Sequence, residues 1–381
     1  MHDSAQDLLN AVREQANRLL REQVQAETIE SLLDTPGSWD QSLWQRVAEQ
    51  GWAAVALDEA HGGTDLGCAG LAVMAEEIGR AGAALPLWQN ALAALALQDT
   101  GTAGGEYAPG PLLDDLACGR VTACLAWPGP AAGVLGGTDA LSEEAGRLTG
   151  HVRTVAFGAT ADCALAIARD EAFHDSLWLV PLSTPLVTRE VVTTIDNARG
   201  HATLRFFSAP AIRLGGAAAV ALLVDRAAAM TAFEQVGSAQ AGLARSIDFA
   251  QQREAFGQPI ARFQAIKHKL VEIYSGIEIA RGCALTALDL LDAPDATDAA
   301  ERRQAVAAAR VAASQADELA ARDSINIFGA LGVTREAAPH RHYRRARSLA
   351  LELGSTAAWR EALVDTFLNR QAGLKAPHGQ Q

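Results

Sequence analysis

The chain has 381 residues, of which 32 are Lys or Arg and 45 are Asp or Glu, so that its formal net charge is −13 at pH 7. This acidic balance argues against a nucleic-acid surface and against anchoring to anionic lipid. The length exceeds what one hydrophobic core usually supports, no apolar run reaches the roughly 18 residues of a membrane span, and the acidic N-terminus is unlike a secretory signal. We expect a cytoplasmic protein of two or three packed units, without membrane insertion.

The texture of the sequence changes twice along the chain. From residue 4 to about 100, apolar residues such as Leu71, Met74 and Ile78 recur at intervals of three and four, which predicts helices, and the turn-rich stretch DEAHGGTDLG interrupts them at 58–67. From about 118 to 215, short β-prone runs separated by Gly, Pro and Asp predict a small sheet or barrel. From about 222 to 370, long helical patterns return.

The histidines and cysteines do not suggest a metal site. The five cysteines, at positions 68, 118, 124, 163 and 283, form no CxxC pair and no ligand-like spacing with histidine. His340 and His342 are two residues apart, a spacing that points them to different faces of a helix. We interpret the cysteines as small buried thiols and predict no metal.

The stretch REAFGQPIARFQAIKHKL, residues 253–270, holds an arginine, an aromatic residue and a turn together ahead of a helix. Arg253 offers a planar fork of donors suited to a pyrophosphate, Phe256 a flat apolar face, and Gly257 a close turn. These features suit the binding of a dinucleotide. The alternative is that Arg253 pairs with a nearby carboxylate and Phe256 belongs to the core.

Three motifs, in this order, resemble the acyl-CoA dehydrogenase family over nearly the whole chain. They are GWAAVALDEAHGGTDLGCAGLAVMAEEIGRAGAALPL, REAFGQPIARFQAIKHKL and INIFGALGVTREAAPHRHYRRAR. The resemblance implies an α+β fold: an N-terminal α-helical domain (1–117), a central β-sandwich or barrel domain (118–216) and a C-terminal four-helix bundle (217–381). It also implies assembly into homo- or hetero-dimers or tetramers.

The resemblance further implies FAD as cofactor, an acyl-CoA thioester as substrate, and an electron-transfer flavoprotein or similar acceptor as partner. In the family's reaction a glutamate removes the α-proton of the thioester while a hydride leaves the β-carbon for the flavin, giving a trans-2-enoyl-CoA. The family uses the residues matching Arg253, Phe256 and Gln264 around an FAD bound across a subunit interface. Further residues at cofactor-binding positions are Asn326, Gly329, Ser355 and Trp127.

The catalytic base is the point at which this sequence departs from the family pattern. In the commonest family arrangement the base belongs to a Glu-Gly-Thr sequence, and here Leu353 occupies its position, with Glu352 one residue early. One residue of helix turns a side chain by roughly 100°. A second arrangement takes the base from an early turn of the first C-terminal helix, where Ala227 stands near the expected site and Glu234 lies about two turns later. Glu352 and Glu234 are therefore the candidate bases.

The flavin-side motifs are altered as well. Ala126, Trp127, Pro128 and Gly129 replace the Thr-Glu-Pro-Gly that lies against the flavin in the family, and Ala330 replaces a glycine of the C-terminal motif. Trp127 either stacks on a flavin ring or fills a gap between domains. The arginine-rich run RHYRRAR at 341–347 meets either CoA phosphates or carboxylates of neighbouring helices, and we favour the carboxylates.

Two functions follow from the resemblance and its departures. The first is FAD-dependent α,β-dehydrogenation of an acyl-CoA, of the kind used in fatty acid or steroid side-chain degradation, with an unusual base. The alternative is a catalytically impaired partner subunit that completes the FAD site of a heteromeric acyl-CoA dehydrogenase. The identity of the acyl group does not follow from the sequence.

Overall fold

The computed structural model describes residues 2–102, 110–127, 141–172, 174–293 and 297–375. The first part of the chain is helical. Its helices are α1 (His2–Gln23), α2 (Ala26–Asp34), α3 (Gln41–Glu49), α4 (Gly67–Ala81), α5 (Leu87–Thr102) and α6 (Gly110–Ala117). Between α3 and α4 the chain runs through two short 3-10 turns, Trp52–Ala54 and Glu59–His61, in the region where the sequence predicts an interruption.

The middle of the chain forms an eight-stranded mixed sheet. Its strands are β1 (Ala123–Ala126), β2 (Leu141–Glu144), β3 (Arg147–Val155), β4 (Cys163–Arg169), β5 (Asp175–Pro181), β6 (Val187–Val191), β7 (Ala202–Pro210) and β8 (Ile212–Gly215). The strand order is β6-β7-β3-β2-β4-β5-β8, and β1 also pairs with β4. Strands β1 and β2 are both parallel to β4 and share one of its edges, β1 near its start and β2 near its end.

The last part of the chain is again helical. Its helices are α7 (Ala217–Gln252), α8 (Gln264–Leu291), α9 (Ala299–Phe328), α10 (Pro339–Leu349) and α11 (Thr356–Lys375), and a two-residue hairpin, β9 (Glu254–Ala255) with β10 (Gln258–Pro259), joins α7 to α8. Helix α9 packs against α7, α8, α10 and α11. The order of helices, sheet and helical bundle confirms the predicted α+β fold.

Strand β4 is buried on both faces, and successive side chains belong to different cores. Leu165 and Ile167 join the large core that the helices share, whereas Ala164 and Ala166 pack in a second core enclosed by the sheet. Because side chains alternate along a strand, one strand contributes to both cores. The β domain thereby has a core of its own and an apolar face against the helices.

The interpretation of the five cysteines as buried thiols holds for three of them. Cys68, Cys124 and Cys163 are buried, but Cys283 is half-buried and Cys118, in the turn after α6, is exposed, so the interpretation is wrong for Cys118. Within the described ranges, no helix is long and apolar enough to cross a membrane.

Helices α4 and α7 cross in direct backbone contact at two glycines. A Cβ built on Gly79 would lie 1.9 Å from the backbone oxygen of Glu234, and a Cβ built on Gly237 would lie 1.8 Å from the backbone oxygen of Glu76. Both clashes are with backbone atoms, so no side-chain rotation relieves them. The crossing joins the N-terminal helices to the bundle at a separation that only glycine permits at these positions.

The substitution Gly237→Ala tests this crossing. We expect it to lower the free energy of unfolding by at least about 3 kcal/mol, because α4 and α7 must move apart to admit the methyl group. Gly276→Ala on α8 is the matched control, since its Cβ would meet Ala316 at an ordinary 3.7 Å. Urea unfolding of both variants measures the difference, and equal stability of the two would contradict the close crossing.

Candidate functional site

A cavity of about 400 Å³ lies between the β domain and the turn that follows α10. Its walls come from the end of β1, from the bulged end of β3, from the loop before β7 and from residues 348–354. The side chains that matter for the chemistry are Trp127, Thr154, Thr194, His201, Glu352 and Leu353. The structure thus brings together three residues that the sequence singles out: Trp127, Glu352 and Leu353.

Glu352 is held by a buried arginine. Both Arg199 terminal nitrogens donate to its carboxylate, and the Arg199 side chain is only 1% exposed. The guanidinium also lies over the ring of Phe157, 5.3 Å from its centroid. Burial by itself would lower the pKa of Arg199, but the charges of Glu352, Glu234 and Asp196 raise it above its usual value. Glu352 is therefore the counter-ion of a buried cation.

A second buried arginine forms hydrogen bonds to the backbone of the turn that carries Glu352. Arg310 of α9 donates to the backbone oxygens of Leu349, at 3.2 Å, and Glu352, at 2.9 Å, and to the side chain of Gln235 at 2.5 Å. These bonds satisfy carbonyl groups that the end of α10 leaves without intrahelical partners. The backbone at the base position is consequently rigid.

Leu353 occupies the cavity wall in an uncommon backbone conformation. Its φ is +58°, in the left-handed region that non-glycine residues seldom adopt, and its side chain is buried. Its backbone oxygen accepts a hydrogen bond from the indole of Trp359 at 3.1 Å, which helps to hold this conformation. An apolar side chain therefore lines the cavity directly after Glu352.

Trp127 lines the same cavity as Leu353, and its side chain is buried. Its indole Nε1 has no hydrogen-bond partner within the described part of the chain. A buried donor without a partner is costly, and a bound molecule with an acceptor atom in the cavity would satisfy it. Pro128 and Gly129, which follow Trp127 in the altered flavin motif, lie outside the described residues.

His201, also in the cavity wall, is neutral at physiological pH. Burial, followed by the neighbouring charge of Arg199, lowers the pKa of His201 to about 4. The ring nitrogen Nδ1 lies 3.3 Å from the hydroxyl oxygen of Thr194. The imidazole is thus a fixed neutral group and not a cation for an anionic ligand.

Glu234, the other candidate base, does not line this cavity. Its carboxylate accepts from the indole of Trp88 at 3.0 Å and from Arg345 at 3.4 Å, and the side chain is 2% exposed. Arg345 in turn donates to Asp196 at 2.5 Å and to the backbone oxygen of Ala83 at 2.7 Å. Glu234 therefore takes part in a buried ion-pair network that joins α7, α10 and the β domain.

The residues Arg253, Phe256 and Gln264 form a separate, exposed surface, called here the hairpin surface. Phe256 is 96% exposed with φ at +53°, and its ring meets Phe263 edge-on at 6.1 Å. Arg253 forms no side-chain ion pair within the described part of the chain. The interpretation of Phe256 as a core residue and of Arg253 as an internally paired charge is therefore wrong.

Gln264 begins α8, and no side chain caps that end of the helix. The first amide groups of a helix have no intrahelical partners, and together they favour an anion. The hairpin surface thus presents an arginine, an exposed phenyl ring and an uncapped helix N-terminus to solvent. This combination suits a pyrophosphate with an attached aromatic base.

The remaining predicted cofactor residues, Asn326, Gly329 and Ser355, are not among the residues that line the cavity. Asn326 is exposed and contacts Asp323 at 3.4 Å, while Gly329 ends α9 with φ at +62° and ψ at −136°, a conformation that favours glycine. The Ser355 hydroxyl accepts from the amide of Ala358 and caps α11. Each has a structural role visible in this chain alone.

The buried arginines are the functional residues that the sequence did not reveal. No sequence pattern points to Arg199, and for the run RHYRRAR the sequence favours carboxylate partners without identifying them. In the structure Arg341 pairs with Glu30, Arg345 with Asp196, and Arg347 with Glu318. The carboxylate interpretation of the run is confirmed. Across the described ranges, no group of His, Cys, Asp or Glu side chains is placed to hold a metal ion.

Two family sequence profiles match this chain, one in its N-terminal part and one in its C-terminal part. The sequence profile described as acyl-CoA dehydrogenase, N-terminal domain, matches residues 6–104, and that of the acyl-CoA dehydrogenase C-terminal domain matches residues 215–367. Acyl-CoA dehydrogenase IpdE2 of Mycobacterium tuberculosis is 27% identical over 345 residues, which cover 90% of this chain and 92% of that protein.

Two of the solved structures with the same fold have titles that each join the names of two proteins. A variant of the Tcur3481-Tcur3483 steroid ACAD is 25% identical with a TM-score of 0.87, covering 97% of this chain and 99% of its own. The ChsE4-ChsE5 complex from Mycobacterium tuberculosis is 22% identical with a TM-score of 0.82, covering 97% and 98%. The likeness to the second structure is one of fold alone.

Replacing Glu352 by glutamine tests its role as a structural counter-ion. Glu352→Gln leaves the buried charge of Arg199 without its nearest carboxylate, so we expect the free energy of unfolding to fall by at least about 2 kcal/mol. Glu361→Gln, at an exposed position of α11, should change it by no more than about 0.5 kcal/mol. Chemical denaturation compares the two, and an equal effect would show that the Arg199 pair is not structural.

The lowered pKa of His201 predicts a loss of stability in mild acid. The unfolded chain binds a proton at this histidine near pH 6.5 whereas the folded chain does so only near pH 4, so the stabilisation is complete above about 6.5 and declines as the pH falls toward 4. At about pH 5.5 the loss should be about 1 kcal/mol. Urea unfolding between about pH 7.5 and 5.5 measures this loss, and the substitution His201→Gln should remove it from the free energy of unfolding. If the free energy of unfolding of His201→Gln declined as steeply as that of the natural chain, the prediction would be wrong.

Proposed function

The chain belongs to the acyl-CoA dehydrogenase family, and we propose that it serves in α,β-dehydrogenation of an acyl-CoA as a subunit that completes the FAD site of a second subunit. Members of this family are FAD-dependent flavoproteins, which oxidise carbon–carbon bonds of acyl-CoA thioesters. In this proposal the chain itself does not supply the base that removes the substrate's α-proton. Electrons would leave the shared flavin for an electron-transfer flavoprotein or a similar acceptor.

The pairing of Glu352 with Arg199 is the observation that carries this proposal. A general base must be free to take a proton and benefits from a pKa near neutrality. Both carboxylate oxygens of Glu352 are instead engaged by the terminal nitrogens of the buried Arg199. The adjacent Leu353 offers no titratable group. Among the described residues that line the cavity, Glu352 is the one carboxylate, and it is paired with Arg199.

Glu234 does not replace Glu352 as a base. Its two carboxylate oxygens accept hydrogen bonds from Trp88 and Arg345, its side chain is buried, and it is not among the residues that line the cavity. To act on a substrate it would have to leave Arg345 without part of its counter-charge. Removing one partner of a buried ion pair costs about 3 to 5 kcal/mol.

The hairpin surface supports the second half of the proposal. An aromatic side chain that is almost fully exposed forgoes about 2 kcal/mol of burial free energy, which favours a bound molecule or subunit that covers it. Arg253 and the uncapped N-terminus of α8 would hold the FAD pyrophosphate, and Phe256 would meet its adenosine part. The hairpin surface is directed to solvent in the single chain, so a cofactor held there would be seated mainly in a neighbouring subunit.

An apolar face on α8 continues from the hairpin surface and fits a subunit contact. Val271, Tyr274, Ile279 and Leu285 are each about half exposed or more along this helix. Exposed apolar side chains in such number on one helix are typical of protein interfaces. The paired names of the structural relatives agree with an assembly of two different chains.

A second candidate function is a self-contained dehydrogenase with its own FAD in the cavity. The unpaired indole Nε1 of Trp127 favours it, because an acceptor on a bound flavin would satisfy that donor. When bound, FAD supplies the hydride acceptor of the reaction. In this candidate Glu352 would have to release Arg199 in order to take the substrate's α-proton, which would leave a buried guanidinium without this carboxylate partner.

Substitutions on the hairpin surface test the proposed function. In a complex of this chain with a second acyl-CoA dehydrogenase chain from the same genome, Arg253→Gln combined with Phe256→Ser should raise the Kd for FAD at least about tenfold, because a charge-assisted contact and an aromatic contact are lost. The matched control is Arg205→Gln, an exposed arginine of β7 that pairs with Glu190.

Flavin fluorescence during titration measures the two affinities. The control complex should bind FAD as the unmodified complex does. Unchanged FAD affinity in the double variant would exclude the hairpin surface from the cofactor site. Glu352→Gln in the same complex should leave its dehydrogenase rate within about twofold after correction for folded protein, because the base belongs to the other chain.

A further inference from the structure

A second cavity, of about 120 Å³, lies between the N-terminal helices and the bundle. It is lined by the start of α2, the end of α4, the second half of α7, the first two turns of α10 and the chain before β7. Its polar lining holds Arg245 from α7, three basic residues of α10 (Arg341, His342 and Arg345) and one carboxylate, Asp196, which pairs with Arg345. No part of the proposed dehydrogenase function uses this cavity.

Two of the three arginines have carboxylate partners within the chain. Arg341 pairs with Glu30 at 3.0 Å, and Arg345 with Asp196 at 2.5 Å. Arg245 has none: no ion pair or hydrogen bond is made by its guanidinium within the described part of the chain, and its NH1 nitrogen is buried and unpartnered. The cavity therefore contains one positive charge without a counter-ion.

The pKa values of Arg245 and His342 are lowered partly by this excess of positive charge. Burial, followed by the charge of Arg341, lowers the pKa of Arg245, whereas a carboxylate partner would raise it. Burial and then the charges of Arg245, Arg341 and Arg345 hold the pKa of His342 well below its usual value, so the imidazole adds no charge of its own. Arg245 is half-buried, and its buried NH1 nitrogen is costly to leave without a partner, so an accompanying anion would be favourable there.

The geometry of the cavity limits the anion that fits it. Its volume equals the share of about four water molecules in the liquid, which accommodates an ion of a few heavy atoms but not a nucleotide. Gln25 and Ala26, at the N-terminus of α2, line the cavity, and no side chain caps that helix end. The planar fork of Arg245 and these amide groups favour an ion with several oxygen acceptors.

We propose that this cavity binds a small tetrahedral oxyanion, inorganic phosphate or sulfate, through Arg245 and the N-terminus of α2. The ion neutralises the unpaired guanidinium and links the N-terminal helices to α7 and α10. It stabilises the packing of the two helical parts of the chain without touching the flavin. A carboxylate of a second protein chain would be the competing occupant.

Thermal unfolding of the purified full chain tests the site, with inorganic phosphate as the probe. Raising phosphate from about 1 mM to about 50 mM, with chloride adjusted to constant ionic strength, should raise the unfolding temperature by at least about 2 °C. Arg245→Met should lose most of this response. In chloride alone Arg245→Met should unfold at no lower temperature than the natural chain, because it removes an uncompensated buried charge.

Arg205→Met is the control, because that arginine is exposed on β7 and pairs with Glu190. It should retain the full phosphate response, and sulfate should act as phosphate does. Equilibrium dialysis against labelled phosphate gives a second readout: about one ion per chain, with at least about tenfold weaker binding in Arg245→Lys, which keeps the charge but loses the fork.

The proposal is overturned if the natural chain and Arg245→Met respond equally to phosphate, since the effect is then that of an adventitious ion only. It is also overturned if chloride protects as well as phosphate, or if stability follows protein concentration and not phosphate, which would identify a second chain as the occupant. FAD content is unaffected in every one of these outcomes, so the test is independent of the proposed dehydrogenase function.

Discussion

Arg345 is the side chain on which the packing of the three parts of the chain depends. Its guanidinium donates to Asp196 in the β domain, to the backbone oxygen of Ala83 after α4, and to Glu234 of α7. Because Arg345 is almost completely buried, its charge is tolerated only with these partners in place. The close crossing of α4 and α7 at Gly79 and Gly237 brings Glu234 and the chain after α4 within reach of a single arginine.

This network also determines the chemistry that the chain is able to perform. Glu234 and Glu352, the two carboxylates proposed from the sequence as bases, are each the counter-ion of a buried arginine. A carboxylate used in this way stabilises the fold and loses the freedom that proton abstraction requires. The hairpin surface, which we propose meets a neighbouring flavin, lies on a different element, before α8. A chain without a base of its own and with the hairpin surface kept is therefore structurally consistent.

Much of the fold and part of the site could be predicted from the sequence. The change from helical to β-prone texture near residue 118 and back near residue 222 places the sheet between the two helical parts of the chain. The motif at 253–264 identifies a surface whose exposed Phe256 no periodicity would suggest. The partners of the two glutamates could not be predicted, because Arg199 lies 153 residues from Glu352 and Arg345 lies 111 residues from Glu234. Such pairs depend on the packing of three domains, which local patterns do not encode.

The ratio of FAD to protein in the purified chain is the measurement that tests the central claim most directly. Absorbance spectra of the chain alone and of its complex with a second acyl-CoA dehydrogenase chain give this ratio. The account predicts a colourless chain when alone and about half a flavin per chain in the complex, because two chains share one complete site. One FAD per chain in the isolated protein, together with oxidation of an acyl-CoA without a partner, would contradict it.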